Sequence, residues 1–306
     1  MLVLQDIKKS FKDKVVLDGV NITVESGSVF GLIGANGAGK TTIMNIISAL
    51  LTADSGSVKI NDKEIKTLND CSKNIGYIID IPAMSEYLTS REYLKFLISS
   101  QKLEKEKEEE KIETLLKKVG ISDAKMLIKH FSRGMKQRLG IAAGLINDPE
   151  IILLDEPCSA LDPQGRAEVL EIISELKKEG KTILLSTHIL SDIEKVCDNV
   201  GFLKNGKIFL TGKLTDILKD FKENIFSISC SKEDALKIID ALENNENFVN
   251  FKMKNDKLEI HFKEGSKKEI FKAITSCDVE IDSIILKTKT IEDIFLTGIK
   301  KEGKDV

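Results

Sequence analysis

Apolar positions along this chain group into short runs of distinct periodicity. Residues 15–17 and 20–24 are brief β-branched runs, each predicting a short strand. Residues 29–33, 151–154 and 182–186 are compact apolar runs without alternation, the pattern of strands buried on both faces of a parallel sheet. A glycine-rich turn follows the first of them. Then comes KTTIMNIISALL, where Ile43, Ile46, Ile47 and Leu50 recur at helical spacing and predict a helix over 41–51. Residues 167–178 carry a second helical pattern between the other two strands. Strand–helix alternation of this kind predicts an α/β fold with a mostly parallel sheet.

Two regions break that grammar. Residues 85–150 read as a helical insert. Its stretch 102–118 is densely charged with mixed sign, and Ile112, Leu115, Leu116 and Val119 supply one apolar stripe, as in a solvated amphipathic helix. Just before the insert, the apolar run 75–79 predicts a strand. Asp80 follows it, flanked by Ile79 and Ile81 with Pro82 behind, and a lone carboxylate there is costly if buried.

Beyond about residue 220 the expected order is strand 225–230, helix 232–243, strands 248–253 and 257–262, helix 266–276, strand 279–286 and a last helix from 291. That β-α-β-β-α-β order predicts a small α+β ferredoxin-like unit, so the boundary is set between a domain 1–220 and a domain 221–306. Ser231 with Asp234, Ser266 with Glu269 and Thr290 with Asp293 have the spacing of capping boxes, and Asn255-Asp256 suits a hairpin turn.

Composition narrows the function classes. The net charge of −3 gives no support to nucleic acid as a partner. No uncharged apolar run approaches the roughly 20 residues that span a bilayer, so any membrane-spanning part is expected on another chain. MLVLQDIKK has the wrong order and length for a signal peptide. Five cysteines without a C-x-x-C predict dispersed reduced thiols, and three widely separated histidines do not suggest a structural zinc site.

Candidate chemistry sits at the ends of the apolar strands. Gly34-Ala35-Asn36-Gly37-Ala38-Gly39-Lys40-Thr41 fits a phosphate-binding loop between a strand and a helix. Glycines let several backbone N–H groups turn toward one anion, and the helix N-terminus favours negative charge. Lys40 suits the β- and γ-phosphates, and Thr41 suits Mg2+. Asp155, at the end of the 151–154 run, suits Mg2+ through water, and Glu156 suits a general base toward an attacking water. His188, after the 182–186 run, suits a contact with the γ-phosphate. Ser132, in FSRGMKQR, is a candidate N-cap of the helix LGIAAGLI; with Gly134 it offers an anion site, while the basic residues beside it oppose the helix dipole.

Together GANGAGKTT, FSRGMKQRLG, IILLDEPCSALD and the STH at 186–188 resemble an ABC-type ATPase over about residues 1–220. The resemblance implies a P-loop cassette with a mixed sheet core, an antiparallel β subdomain and a helical insert, hydrolysing ATP with Mg2+. It also implies that Phe11 stacks on adenine and that Lys40, Thr41 and Thr42 hold phosphates and metal. Ser132 and Gly134 would reach the ATP of a partner cassette, and 159–162, ending at Asp162, would cross the dimer interface.

GMKQRLGIA is similar to cassettes that pair with a separate permease, including bacterial drug, bacteriocin-immunity and bacitracin-type exporters. The expected partners are therefore a transmembrane permease and a second cassette, a homodimer, at the inner face of the cell membrane. The sequence departs from the family pattern at Arg133, where glycine is frequent, and at Asp80, where glutamine is usual; some exporters place an acid there, and Asp80 is taken as a magnesium candidate. The alternative is a soluble ABC-type ATPase, either a SUF-like assembly factor or a ligand-sensing regulator.

Overall fold

Two long strands open the chain, β1 (Leu2–Phe11) and β2 (Lys14–Val24), paired antiparallel. The first escapes a search for period-2 alternation because of a bulge. Asp6 takes a φ of 48°, the register shifts between Leu4 and Ile7, and the buried positions fall at Leu2, Leu4 and Ile7. Strand β2 is continuous where two short runs were expected, since Gly19, at φ 78°, carries the pairing through the Asp18–Val20 break. The structure, a computed structural model, describes residues 1–12, 14–71, 74–80, 83–99, 104–122, 125–220, 222–254, 257–288 and 291–294. These fall into two units that divide at Leu214 and Thr215.

In the first unit, β3 (Val29–Gly34) leads into α1 (Lys40–Ile47). The helix stops earlier than its apolar pattern suggests. Ser48 caps it, Ala49 turns to φ 55°, and Leu50 is exposed instead of continuing the buried face. Next come β4 (Ser55–Ile60), β5 (Lys63–Glu64), α2 (Leu68–Cys71) and β6 (Ile75–Ile78). The helical insert holds α3 (Ser90–Ile98), α4 (Lys105–Lys118) and α5 (Arg133–Gly144). As the apolar stripe requires, Ile112, Leu115, Leu116 and Val119 are buried. The unit continues with β7 (Ile151–Asp155), α6 (Pro163–Lys178), β8 (Thr182–Thr187), α7 (Leu190–Val196), β9 (Asn199–Lys204) and β10 (Lys207–Lys213), and α8 (Leu214–Asp220) starts at the division.

The main sheet has the order β10-β9-β3-β8-β7-β6, parallel from β9 to β6. Its strands β3, β7 and β8 are buried along their whole length, which explains their unbroken apolar runs. A separate antiparallel sheet, β2-β1-β4-β5, packs into the same core, where Leu4, Leu17 and Val58 meet Met44, Leu153 and Leu184.

The second unit contains β11 (Lys222–Cys230), α9 (Lys232–Glu243), β12 (Phe248–Lys254), β13 (Lys257–Phe262), α10 (Lys267–Thr275) and β14 (Ile281–Thr288), followed by a helical turn at 291–294. Its antiparallel sheet runs β12-β13-β11-β14, the strand order of a ferredoxin-like split βαβ unit. Ser231 caps α9 by accepting from the Asp234 N–H at 3.1 Å. The box expected at Ser266 does not form: Ser266 lacks the extended backbone of an N-cap, with φ −93° and ψ 17°, and its hydroxyl donates instead to the Lys263 carbonyl at 2.5 Å. Thr290 and the Asn255-Asp256 turn lie outside the described residues. All five cysteines are free thiols.

Candidate functional site

The parallel strands deliver their polar residues to one end of the sheet, beside the turn between β3 and α1. That turn demands glycine. Gly39 sits at φ 112°, and a Cβ there would lie 2.7 Å from Leu17 Cδ2. Lys40 follows at the first turn of α1 with only 6% of its surface exposed. Its ammonium is satisfied by the carbonyls of Gly34 at 2.8 Å and Ala35 at 3.3 Å and by Glu156 Oε1 at 3.0 Å, as a buried charge requires.

A cavity of about 360 Å³ opens here. Asn36, Gly37, Gly39, Lys40, Thr41 and Thr42 line one side, and Asp80, Asp155, Glu156, Ser159 and His188 the other, with Val16 from β2 at the edge. Thr41 Oγ1 donates to Asp155 Oδ2 at 2.7 Å, and Ser186 Oγ donates to Asp155 Oδ1 at 2.5 Å. The hydroxyl of Thr41 and the carboxylate of Asp155 are hard oxygen donors, which suit Mg2+; that ion takes the rest of its shell from phosphate and water.

Glu156 adopts a left-handed backbone with φ 49°, a strained conformation for such a side chain. It is held there by its N–H, which donates to the carbonyl and hydroxyl of Ser186, both at 3.1 Å. Its carboxylate spans two partners, Lys40 on Oε1 and His188 Nδ1 on Oε2 at 2.7 Å. Beneath the site, the Tyr77 hydroxyl donates to Asn45 Oδ1 at 3.1 Å. Burial, and then the charge of Asp155, push the Tyr77 phenol well above its ordinary pKa.

Ser132, Gly134, Asp162 and Phe11 lie apart from the cavity. Ser132 caps α5 by accepting from the Met135 N–H at 3.2 Å. Gly134 packs against α6, where a Cβ would stand 3.4 Å from the Gly165 Cα. Asp162 caps α6 by accepting from the Gly165 N–H at 2.8 Å. Phe11 is exposed at the end of β1 and does not line the cavity; the Lys9 ammonium lies 5.5 Å from its ring centroid. Asp80 is not the buried charge its isoleucine neighbours suggest. Its side chain is 41% exposed and meets Arg133 Nη2 at 3.3 Å. Ser186, the first residue of the STH motif, takes a role the motif alone does not assign, holding Asp155 and the Glu156 N–H. Nothing in the local sequence marks Val16 as a lining residue.

The chain is similar to known proteins in sequence and fold. A family profile described as ABC transporter matches residues 17–159, and one described as ATP-binding protein DrrA1-3-like, C-terminal domain, matches 212–298. The uncharacterized ABC transporter ATP-binding protein YcbN of Bacillus subtilis is 33% identical over 294 residues, covering 95% of this chain and 94% of that protein. The lantibiotic transport ATP-binding protein SrtF of Streptococcus pyogenes is 42% identical over 211 residues, covering 69% of this chain and 90% of that protein. A dimeric ATP-binding cassette solved in a post-hydrolysis state with ADP and Pi superposes with a TM-score of 0.64 at 26% identity, covering 70% of this chain and 99% of that one. No helix among the described residues is long and apolar enough to cross a membrane. The chain belongs to the ABC transporter ATP-binding proteins, as an ATP-hydrolysing cassette that carries a DrrA-like C-terminal domain.

Proposed function

We propose that this chain hydrolyses MgATP to drive a separate transmembrane permease that exports an antimicrobial peptide or drug-like molecule. The observation that carries the reading is Glu156, held at the cavity between Lys40 and His188. The turn 34–39 and the first residues of α1 bind the phosphates through backbone N–H groups and Lys40. Thr42 adds a phosphate contact. Thr41 and Asp155, with Asp80 nearby, would hold Mg2+, which would neutralise phosphate charge. Glu156 accepts the proton of the attacking water, and His188 orients it and meets the γ-phosphate.

Two copies pair, so that Ser132 and Gly134 of one reach the nucleotide held by the other, with Asp162 at the crossing loop. Phe11 stacks on the base. The cassette 1–220 works at the inner face of the membrane, and 221–306 is an accessory domain. The export reading draws on SrtF, named for lantibiotic transport.

Glu156→Gln tests the site. ATP binding is retained, a closed dimer accumulates, and turnover falls on the order of 100-fold or more. Turnover at the wild-type rate rules out Glu156 as the base.

A further inference from the structure

Asp80 and Arg133, the two departures from the family pattern, are 53 residues apart in sequence and meet in the fold. Asp80 lines the cavity just past β6, and Arg133 is the first residue of α5. A second pair runs beside them, Lys136 Nζ to Glu86 Oε1 at 3.1 Å. The loop after β6 therefore meets the start of α5 through two acid–base pairs. The basic residues that a helix N-terminus disfavours find their counter-charges there.

The charges of the cavity make the first pair consequential. Its lining holds three carboxylates, Asp80, Asp155 and Glu156, against the single ammonium of Lys40. Asp155 accepts from Thr41 and Ser186, and Glu156 is shared by Lys40 and His188. Asp80 takes its counter-charge from Arg133, outside the lining. Both side chains are partly exposed, at 41% and 44%, and the contact is single, so the pair is weak and exchangeable.

We infer that Arg133 is a positioning residue of the nucleotide site, one that competes with Mg2+ for Asp80; this rests on the reading of the cavity as a MgATP site. Without a divalent cation, Arg133 neutralises Asp80 and reduces its repulsion of the phosphates. When Mg2+ enters with the nucleotide, Asp80 turns to the metal and Arg133 is released. Because Arg133 opens α5, the same exchange carries the state of the cavity to the Ser132–Gly134 turn.

The competition predicts shifts of opposite sign, which a merely structural role would not produce. Binding of a fluorescent ATP analogue to the full chain is titrated with Mg2+, and separately measured in EDTA. The chains compared are wild type, Arg133→Gln, Asp80→Asn and the double variant. Arg133→Gln lowers the half-saturating Mg2+ concentration about 3-fold and weakens binding in EDTA by about the same factor. In the Asp80→Asn background the same substitution changes neither quantity. Arg133→Lys, which keeps the charge, stays within about 2-fold of wild type. Equal effects with and without Asp80, or no shift in Arg133→Gln, overturn the inference. Absence of analogue binding in wild type itself overturns instead the nucleotide reading beneath it.

Discussion

Both units of this chain bury a sheet against helices, yet they treat buried polar groups differently. In the first, buried Lys40 and Asp155 line one cavity and buried Ser186 supports Asp155 from behind it, so that each satisfies another or a neighbour at the strand ends. In the second, the buried polar residues Glu259 and Ser266 are used singly: Glu259 meets Lys287 at 2.6 Å, and Ser266 bonds within its own turn. Parallel strands end together and pool their terminal side chains, whereas antiparallel strands alternate their ends and do not. The cassette spends stability on a reactive site, and the C-terminal unit uses its polar groups to hold a fold.

Three substitutions sharpen that contrast. The largest effect is expected from Lys40→Ala. Loss of the buried ammonium weakens affinity for a fluorescent ATP analogue on the order of 100-fold, read by titration. An unchanged affinity would mean that the converging polar groups do not form the phosphate site.

Next is Ile260→Ala, in the core of the second unit beside Phe226, Ile228 and Ile270. Denaturant unfolding shows the unit destabilised by roughly 2–5 kcal/mol, while nucleotide affinity stays at the wild-type value. A parallel loss of affinity would show the two cores to be energetically one.

The smallest is Lys287→Met. The hydrogen bond from Lys287 holds the Glu259 carboxyl below its ordinary pKa of 4.5. Its stabilisation is therefore present above about pH 4.5 and is lost as the pH falls through the lower folded value. The variant melts a few degrees below wild type at pH 7, and the gap narrows at pH 4. An equal gap at both pH values would assign the loss to packing instead of charge.

Much of the cassette was readable along the chain because its signals are local. Strands β3, β7 and β8 are buried on both faces, so their sequences are simply apolar. The phosphate turn is one contiguous segment whose glycine at 39 has a steric reason within the fold. Strand β1 was hidden because the bulge at Asp6 breaks its period. The spacing of Ser266 and Glu269 suggested a cap that the backbone at Ser266 cannot make. Ser186 gave little warning, since it reaches Asp155, 31 residues away in sequence, through the pairing of β8 with β7. Val16 gave none, being one apolar residue in a hairpin strand.

The order of strands and helices, the phosphate turn and the acids at the strand ends were set by short-range patterns, since periodicity and turn chemistry act within a few residues. Which groups share a cavity was settled by strand order and register. Only when β7 lies between β6 and β8 do Asp80, Asp155, Glu156 and His188 face Lys40. The meaning of Asp80 was settled in the same way. Its local setting among isoleucines suggests a costly buried charge, but packing leaves it partly exposed and brings Arg133 from 53 residues away to meet it. Electrostatic energy depends on distance through space, and folding sets that distance.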